Sequence, residues 1–254
     1  MLPTETTEFT ARVAVFSKPD DVHELADVLK DELGLHPTDA MHEAHLVPCL
    51  LTPRLTSANA DRIATAIEQL GLRAESIPSD ELQAFDDLHI VHHIACRMNG
   101  LEILDLIGLP TELIPWDDVM VLSVGETPSE SAHQQLNGEF TMLSSARPVH
   151  GVVTEVPAHT VELWIVCQNP ERTYRLDGSK LNFESLGERK TNSTRINMRL
   201  LLQELVRRTP HAHLTPAARQ FFDQDQLARF RSPEQLQSVT QLHLLMAHRL
   251  CSAD

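Results

Sequence analysis

The sequence predicts an α+β protein made of two modules and a helical tail, and three observations carry that expectation. Short β-like runs alternate with one-faced helices through residues 1–79. From residue 89 onward, β-like runs are separated by Asn99-Gly100, Gly108, Asn169-Pro170 and Asp177-Gly178, the punctuation of antiparallel hairpins. An amphipathic helix from about Ser193 to Arg208 then closes the run of strands. The size agrees: 254 residues exceed what one small core needs, and 42% apolar with 22% charged residues is ordinary globular composition.

The first module reads in order. Ala11 to Lys18 is short, apolar and partly β-branched, which suits a buried strand. Pro19 opens a helix with Asp20 and Asp21 in its first turn, beside the positive end of the dipole. Val22, Leu25, Ala26, Leu29 and Leu33 form its single apolar face, and Gly34 supplies the left-handed end. A second helix fits His36 to Leu46, and a strand fits Cys49 to Leu55. Thr56 or Ser57 caps a third helix whose buried face is Ala60, Ile63, Ala64, Ile67 and Leu70. Gly71 ends that helix, and Arg73 to Ile77 returns as a strand. Three strands and three helices make a small covered sheet in residues 1–79, and the acidic stretch 80–88 reads as a linker.

The run GLHPTDAMHEAHLVPCLLTPRLTSANADRIATAIEQLGLRAESI, Gly34 to Ile77, resembles the C-terminal domain of the bacterial ribosomal stalk protein. The positions that carry the resemblance are Gly34, Leu35, Ala40, Pro48, Thr56, Ala60 and Gly71, within roughly residues 9–78. The resemblance implies the fold of that domain. The stalk domain recruits translational GTPases through lysines on the helix led by its Gly-Leu pair. Here that helix has no lysine and carries Asp39 and Glu43, and residues 1–79 hold 6 bases against 13 acids. The fold is therefore expected without the factor-docking face.

In residues 89–210 the β-like runs are HIVHHIACR, LEILDLI, VMVLSV, VELWIVC and RTYRLD, with QNPER as a tight hairpin loop between the last two. His89 and His93 are expected on one face of a single strand, with His92 pointing away. The stretch from about Gly125 to His150 has no period and reads as a long loop. Ser193 or Asn192 caps the closing helix, Met198, Leu201, Leu202 and Leu205 form its face, and Thr209-Pro210 stops it. Strands closed by one helix, with the phrases TELIPWDDVMVLSVGE and LNFESLGERKTNSTRINMRLLLQELVRRTP, resemble pleckstrin-homology-like domains of uncharacterised bacterial proteins. The resemblance implies an antiparallel barrel plugged by its helix. The tail, 211–254, holds two helical pieces, the second starting at Pro233 with Leu236, Val239, His243, Met246 and Leu250 at a 3-4 spacing. That helix either packs within the chain, the favoured reading, or offers 232–250 for self-association.

No catalytic constellation stands out. There is no GxSxG elbow, no GxxxxGK and no GxGxxG. The fourteen histidines include HEAH at His42 and His45, one residue short of the zinc-protease spacing, and His211 with His213; a structural reading is favoured over a metal site. Asp117 and Asp118 read as a polar turn as readily as an acid–base pair. Cys49, Cys96, Cys167 and Cys251 share no CxxC spacing and read as reduced thiols. Met1 to Val13 has no leader pattern and no apolar run is long enough to cross a bilayer, so a cytoplasmic location is expected. No cofactor and no metal are expected.

One feature rises above this background. Residues 171–219 hold ten bases against five acids in a chain of net charge −15. Arg172, Arg175, Arg189, Lys190, Arg195 and Arg199 are the candidate binding residues of that segment. The patch docks on acidic parts of this chain or of a second copy, binds an anionic partner, or is a solvated face. Nucleic acid is disfavoured by the acidic remainder and the scarcity of aromatic residues. The expected function is a non-enzymatic regulatory or scaffolding protein that binds other proteins. The alternatives are a sensor of an anionic ligand or phospholipid headgroup through residues 171–219, and a metal-dependent hydrolase using the histidines.

Overall fold

In the computed structural model, which describes residues 10–83, 85, 88–129, 159–169 and 171–251, strand β1 (Ala11–Val15) is the centre of a three-stranded antiparallel sheet. It pairs with β2 (Cys49–Leu50) on one side and with β3 (Ala74–Pro78) on the other. Helices α1 (Val22–Leu33), α2 (Pro37–Leu46) and α3 (Ser57–Glu68) complete the module. The local signals explain its boundaries. Helix α1 starts at Val22, later than Pro19, because the Asp21 carboxylate accepts from the His23 N–H and so serves as the cap. Gly34 ends α1 in a left-handed conformation, φ 65°, and the Thr56 hydroxyl caps α3 by accepting from Asn59 N–H. Strand β2 is shorter than the expected 49–55; Pro53 has no N–H to donate, and only an isolated bridge at Leu55 resumes pairing with Ala11. Glu43 is not part of an acidic helix surface. It turns inward and accepts from the Thr52 hydroxyl at 2.8 Å.

The remaining strands form two sheets, β4 (Leu88–Val91), β5 (His93–Cys96), β6 (Gly100–Leu104), β7 (Pro110–Pro115), β8 (Val119–Pro128), β9 (His159–Gln168), β10 (Glu171–Asp177) and β11 (His213–Leu214). One sheet has the order β11-β8-β9-β10-β4 and the other is the meander β5-β6-β7. The sheets are not closed, so they do not form the expected barrel: β4 and β11 remain as edges of the larger one. The expected single strand through His89 and His93 is two strands. It breaks at His92, whose carbonyl accepts from Asn182 N–H, and β4 joins the larger sheet parallel to β10 while β5 leaves with the meander. The hairpin closed by Gln168 and Glu171 follows the expectation. Gly125 to Pro128 continues β8, and the rest of the expected loop, 130–150, lies outside the described residues.

Helix α4 (Thr194–Arg208) starts at the Ser193 cap and buries Met198, Leu201, Leu202 and Leu205, the face read from sequence. Helix α5 (Pro216–Gln224) packs on β8. Helix α6 (Pro233–Cys251) packs against both β8 and β2. Its Leu242 joins Ala14, Leu50 and Ile77 of the small sheet. Leu236, Val239, Leu244 and Ala247 belong to an apolar cluster that holds Val13, Val15 and Leu25 together with Met120, Val121 and Trp164. Polar contacts fix the same helix: Arg12 donates to Gln241 Oε1 and Ser238 Oγ, both at 2.8 Å, and Arg249 grips Glu75 with two bonds. The apolar stripe of 232–250 offered for self-association is thus largely covered within the chain: Leu236, Val239 and His243 are buried, Met246 is half-buried and Leu250 is exposed. Within the stretch expected as a linker, Phe85 is buried edge-on against Trp164, and the Gln83 carbonyl accepts from Gln241.

Two outcomes test this packing. Leu242→Ala removes a fully buried side chain and is expected to cost about 2–4 kcal/mol in urea unfolding, whereas Leu250→Ala, at an exposed site, changes stability by less than about 0.5 kcal/mol. The second concerns His243 of α6, whose Nδ1 lies 2.8 Å from His213 Nε2 in a stacked pair. Burial, aided by His213, pushes the His243 imidazole down to about 4. The folded state therefore keeps it neutral while the unfolded chain takes up a proton below pH ~6.5. Stability is expected to fall by about 2 kcal/mol from pH 7.5 to pH 5, a drop that His243→Gln reduces; urea midpoints across that range measure it.

Candidate functional site

The candidate binding residues do not converge. Alternation along β10 sends Arg172 and Arg175 to opposite faces. Arg172 reaches Glu112 of β7 at 2.9 Å, the carboxylate that also accepts from Tyr174 OH. Arg175 turns inward and makes two bonds to Glu162, which is fully buried. Glu162 also accepts from Trp164 Nε1 at 2.8 Å and from the Thr127 hydroxyl. That ion pair is a core element, since one carboxylate answers a buried guanidinium with its hydrogen-bonding capacity satisfied.

Arg195 and Arg199 project from the first turns of α4 toward the end of α5. Both pair with Asp225, which ends α5 in a left-handed conformation at φ 56°, and Arg199 also donates to the Phe222 carbonyl at 3.1 Å. Guanidinium groups at a helix C-terminus meet its unsatisfied carbonyls, so this pair staples α4 to α5. Arg189 lies at the other end of α4 against Glu204, and its neighbour Lys190 is exposed with no ion pair among the described residues.

Arg207 and Arg208 are among the bases of the segment that lie outside the sequence-based candidate set. Both bind Glu204 Oε1, at 2.6 and 2.8 Å, from three and four positions further along α4. The spacing Glu204, Arg207, Arg208 is legible as a helix-surface ion pair. Salt-bridge and hydrogen-bond partners hold the Glu204 carboxyl below its ordinary range against the opposing effect of burial. Arg208 also donates to the Arg97 carbonyl and stacks over the Trp116 ring, 5.4 Å from its centre.

A second region is apolar. The meander exposes Met98, Leu106, Ile107, Leu109 and Leu113, with Ile107 at 81% and Met98 at 93%. The 105–109 turn is held by Asp105, whose carboxylate accepts from the N–H groups of Ile107 and Leu109. Gly108 takes φ 84° there, which only glycine adopts cheaply. A shallow concavity of about 330 Å³ opens beside the turn, lined by His93, Ala95, Leu104, Ile107, Asn182 and Glu184.

Burial pushes the Cys96 thiol up to about 11 and that of Cys167 up to about 12, and raises Cys49 as well, so none of the three is a thiolate at neutral pH. Among the described residues no group of three or more His, Cys, Asp or Glu is placed to hold a metal ion. His42 faces Gln235 at 3.1 Å, and Asp117 and Asp118 sit in a short turn where Asp118 accepts from Asn169. No helix among the described residues is long and apolar enough to cross a membrane. Compared with known proteins, the chain matches no family model, no curated protein and no solved structure.

Proposed function

We propose that this chain is a non-enzymatic regulatory or scaffolding module that binds another protein through the meander β5-β6-β7. The observation that carries the reading is the concentration of apolar side chains there. Single exposed leucines are ordinary on any surface, but Leu106, Ile107 and Leu109 stand together on one turn, with Leu113 on the strand that leaves it, while Met98 lies at the opposite end of β6. Leu106 and Ile107 stand at the tip of a turn that Asp105 holds from within, so their presentation needs no ordering on binding.

The charge around the patch selects its occupant. Asp105 and Glu184 border it, and neither makes an ion pair among the described residues. The whole chain carries −15. A second copy brings the same acidic field and is disfavoured, whereas a segment with an apolar stripe and a basic rim is attracted and then buries the patch. The partner is therefore an amphipathic basic protein segment. The stalk-like reading of residues 9–78 and a cytoplasmic location belong to the same proposal; the element order of that module and the lack of lysine in α2 support a fold borrowed without its lysine-led recruitment.

The test uses two helical model peptides of equal length, one of leucine and lysine and one of leucine and glutamate, titrated against the full chain. The leucine–lysine peptide is expected to bind in the micromolar range, weaken with added salt, and lose about tenfold or more of its affinity with Leu106→Asp/Ile107→Asp. Both substitutions lie on an exposed turn, so the fold is expected to stand, and far-ultraviolet circular dichroism checks it. Equal binding of the two peptides, or binding unchanged by the double substitution, would overturn the assignment.

A further inference from the structure

The C-terminal end of α4 holds more positive charge than its own acid neutralises. Glu204 is nearly buried and takes Arg207 and Arg208 on Oε1 and Arg189, at 3.4 Å, on Oε2. Three guanidinium groups thus share one carboxylate. The helix end offsets about half a charge of that surplus, which leaves an excess of between one and two. Arg208 has further uses for its fork, the Arg97 carbonyl and the Trp116 ring. Arg189 and Arg207 each give one terminal nitrogen to Glu204 and stay 51% and 70% exposed. They line an open concavity of about 410 Å³ with Gln203 and Glu204. Elsewhere in the segment the balance differs: Arg172 and Arg175 each have their own glutamate, and Arg195 and Arg199 share Asp225 beside the carbonyl end of α5.

We propose that Arg189 and Arg207 form a binding site for the phosphate group of a small soluble ligand. A guanidinium presents parallel N–H donors that match two oxygens of one phosphate, and two such groups suit a tetrahedral dianion. Glu204, which lines the same concavity, acts as the positioning residue: it takes one terminal nitrogen from each of the two side chains. A carboxylate ligand is a poorer match, since a single charge leaves part of the surplus unanswered. An anionic bilayer is a poorer match as well, because docking brings the whole chain of net −15 against a negative surface. This site uses residues apart from those of the meander patch, so either assignment stands or falls without the other.

Inorganic phosphate is the probe. Calorimetric titration of the full chain, in chloride of matched ionic strength, is expected to give one saturable site in the millimolar range. Arg189→Gln and Arg207→Gln are each expected to weaken it about tenfold, whereas Arg229→Gln, at an exposed arginine that pairs with Glu126, leaves it unchanged. Both test positions are at the surface, and urea unfolding confirms that each variant folds. A parallel flotation arm uses phosphatidylcholine vesicles containing phosphatidylinositol phosphate. Absence of saturable phosphate binding, or binding that survives both substitutions, overturns the site. Flotation of the wild-type chain that both substitutions abolish assigns the phosphate to a lipid headgroup and overturns the soluble ligand.

Discussion

The insertion of α6 between the two main sheets is the constraint on which the rest of the structure depends. One side of the helix fills the small sheet through Leu242, and other positions meet β8 through Leu236 and Val239. A helix apolar on more than one side must be buried on more than one side, and here the small sheet and the sheet that holds β8 supply the two walls. The polar positions between those faces are also spent. Ser238 and Gln241 receive the Arg12 guanidinium, and Thr240 bonds to Ser123 of β8. Burial presses the Arg12 guanidinium below its ordinary range, and these neutral acceptors satisfy its donors inside. The first module is therefore tied to the tail by packing and by hydrogen bonds over more than two hundred residues of sequence.

A second consequence is electrostatic. A chain with a large acidic excess spends most of its arginines on itself. The pair Glu162 and Arg175 is buried among Thr127 and Trp164, Glu112 joins β7 to β10 through Arg172 and Tyr174, and Asp225 joins α4 to α5. The first lies across the paired strands β8, β9 and β10, whereas the other two connect elements that share no ladder. Among the described residues, what is left over includes a basic surplus around Glu204, where three arginines share one carboxylate, and an apolar turn bordered by carboxylates that make no ion pair. Those two remainders are where the proposed peptide and phosphate sites lie.

How much of this was legible in the sequence depends on the range of the interaction. Caps and strand pairings next in sequence are local, so Thr56, Ser193, Gly34 and the hairpin closed by Gln168 and Glu171 were readable from a few residues each. The apolar face of α4 was readable from its period. The parallel pairing of β4 with β10 was not, because hairpin signals speak only for consecutive strands. Nor was the break at His92, whose carbonyl answers an N–H ninety residues away. The charge surplus of residues 171–219 was visible as composition, but composition does not say which arginine meets which acid. Arg172 finds Glu112 sixty residues earlier, while Arg207 and Arg208, given no role at first, sit three and four residues from Glu204.

The central claim is that residues 10–78 and the larger sheet are held as one cooperative unit by α6. Native-state hydrogen exchange across a urea series tests it most directly, because it reads the opening free energy of each amide. The account predicts that the slowest amides of β1, β8, β9 and α6 converge on a single isotherm with the free energy of global unfolding. An isotherm for β1 and β3 that separates from that of β8 and β9, with α6 following only one of them, would contradict it.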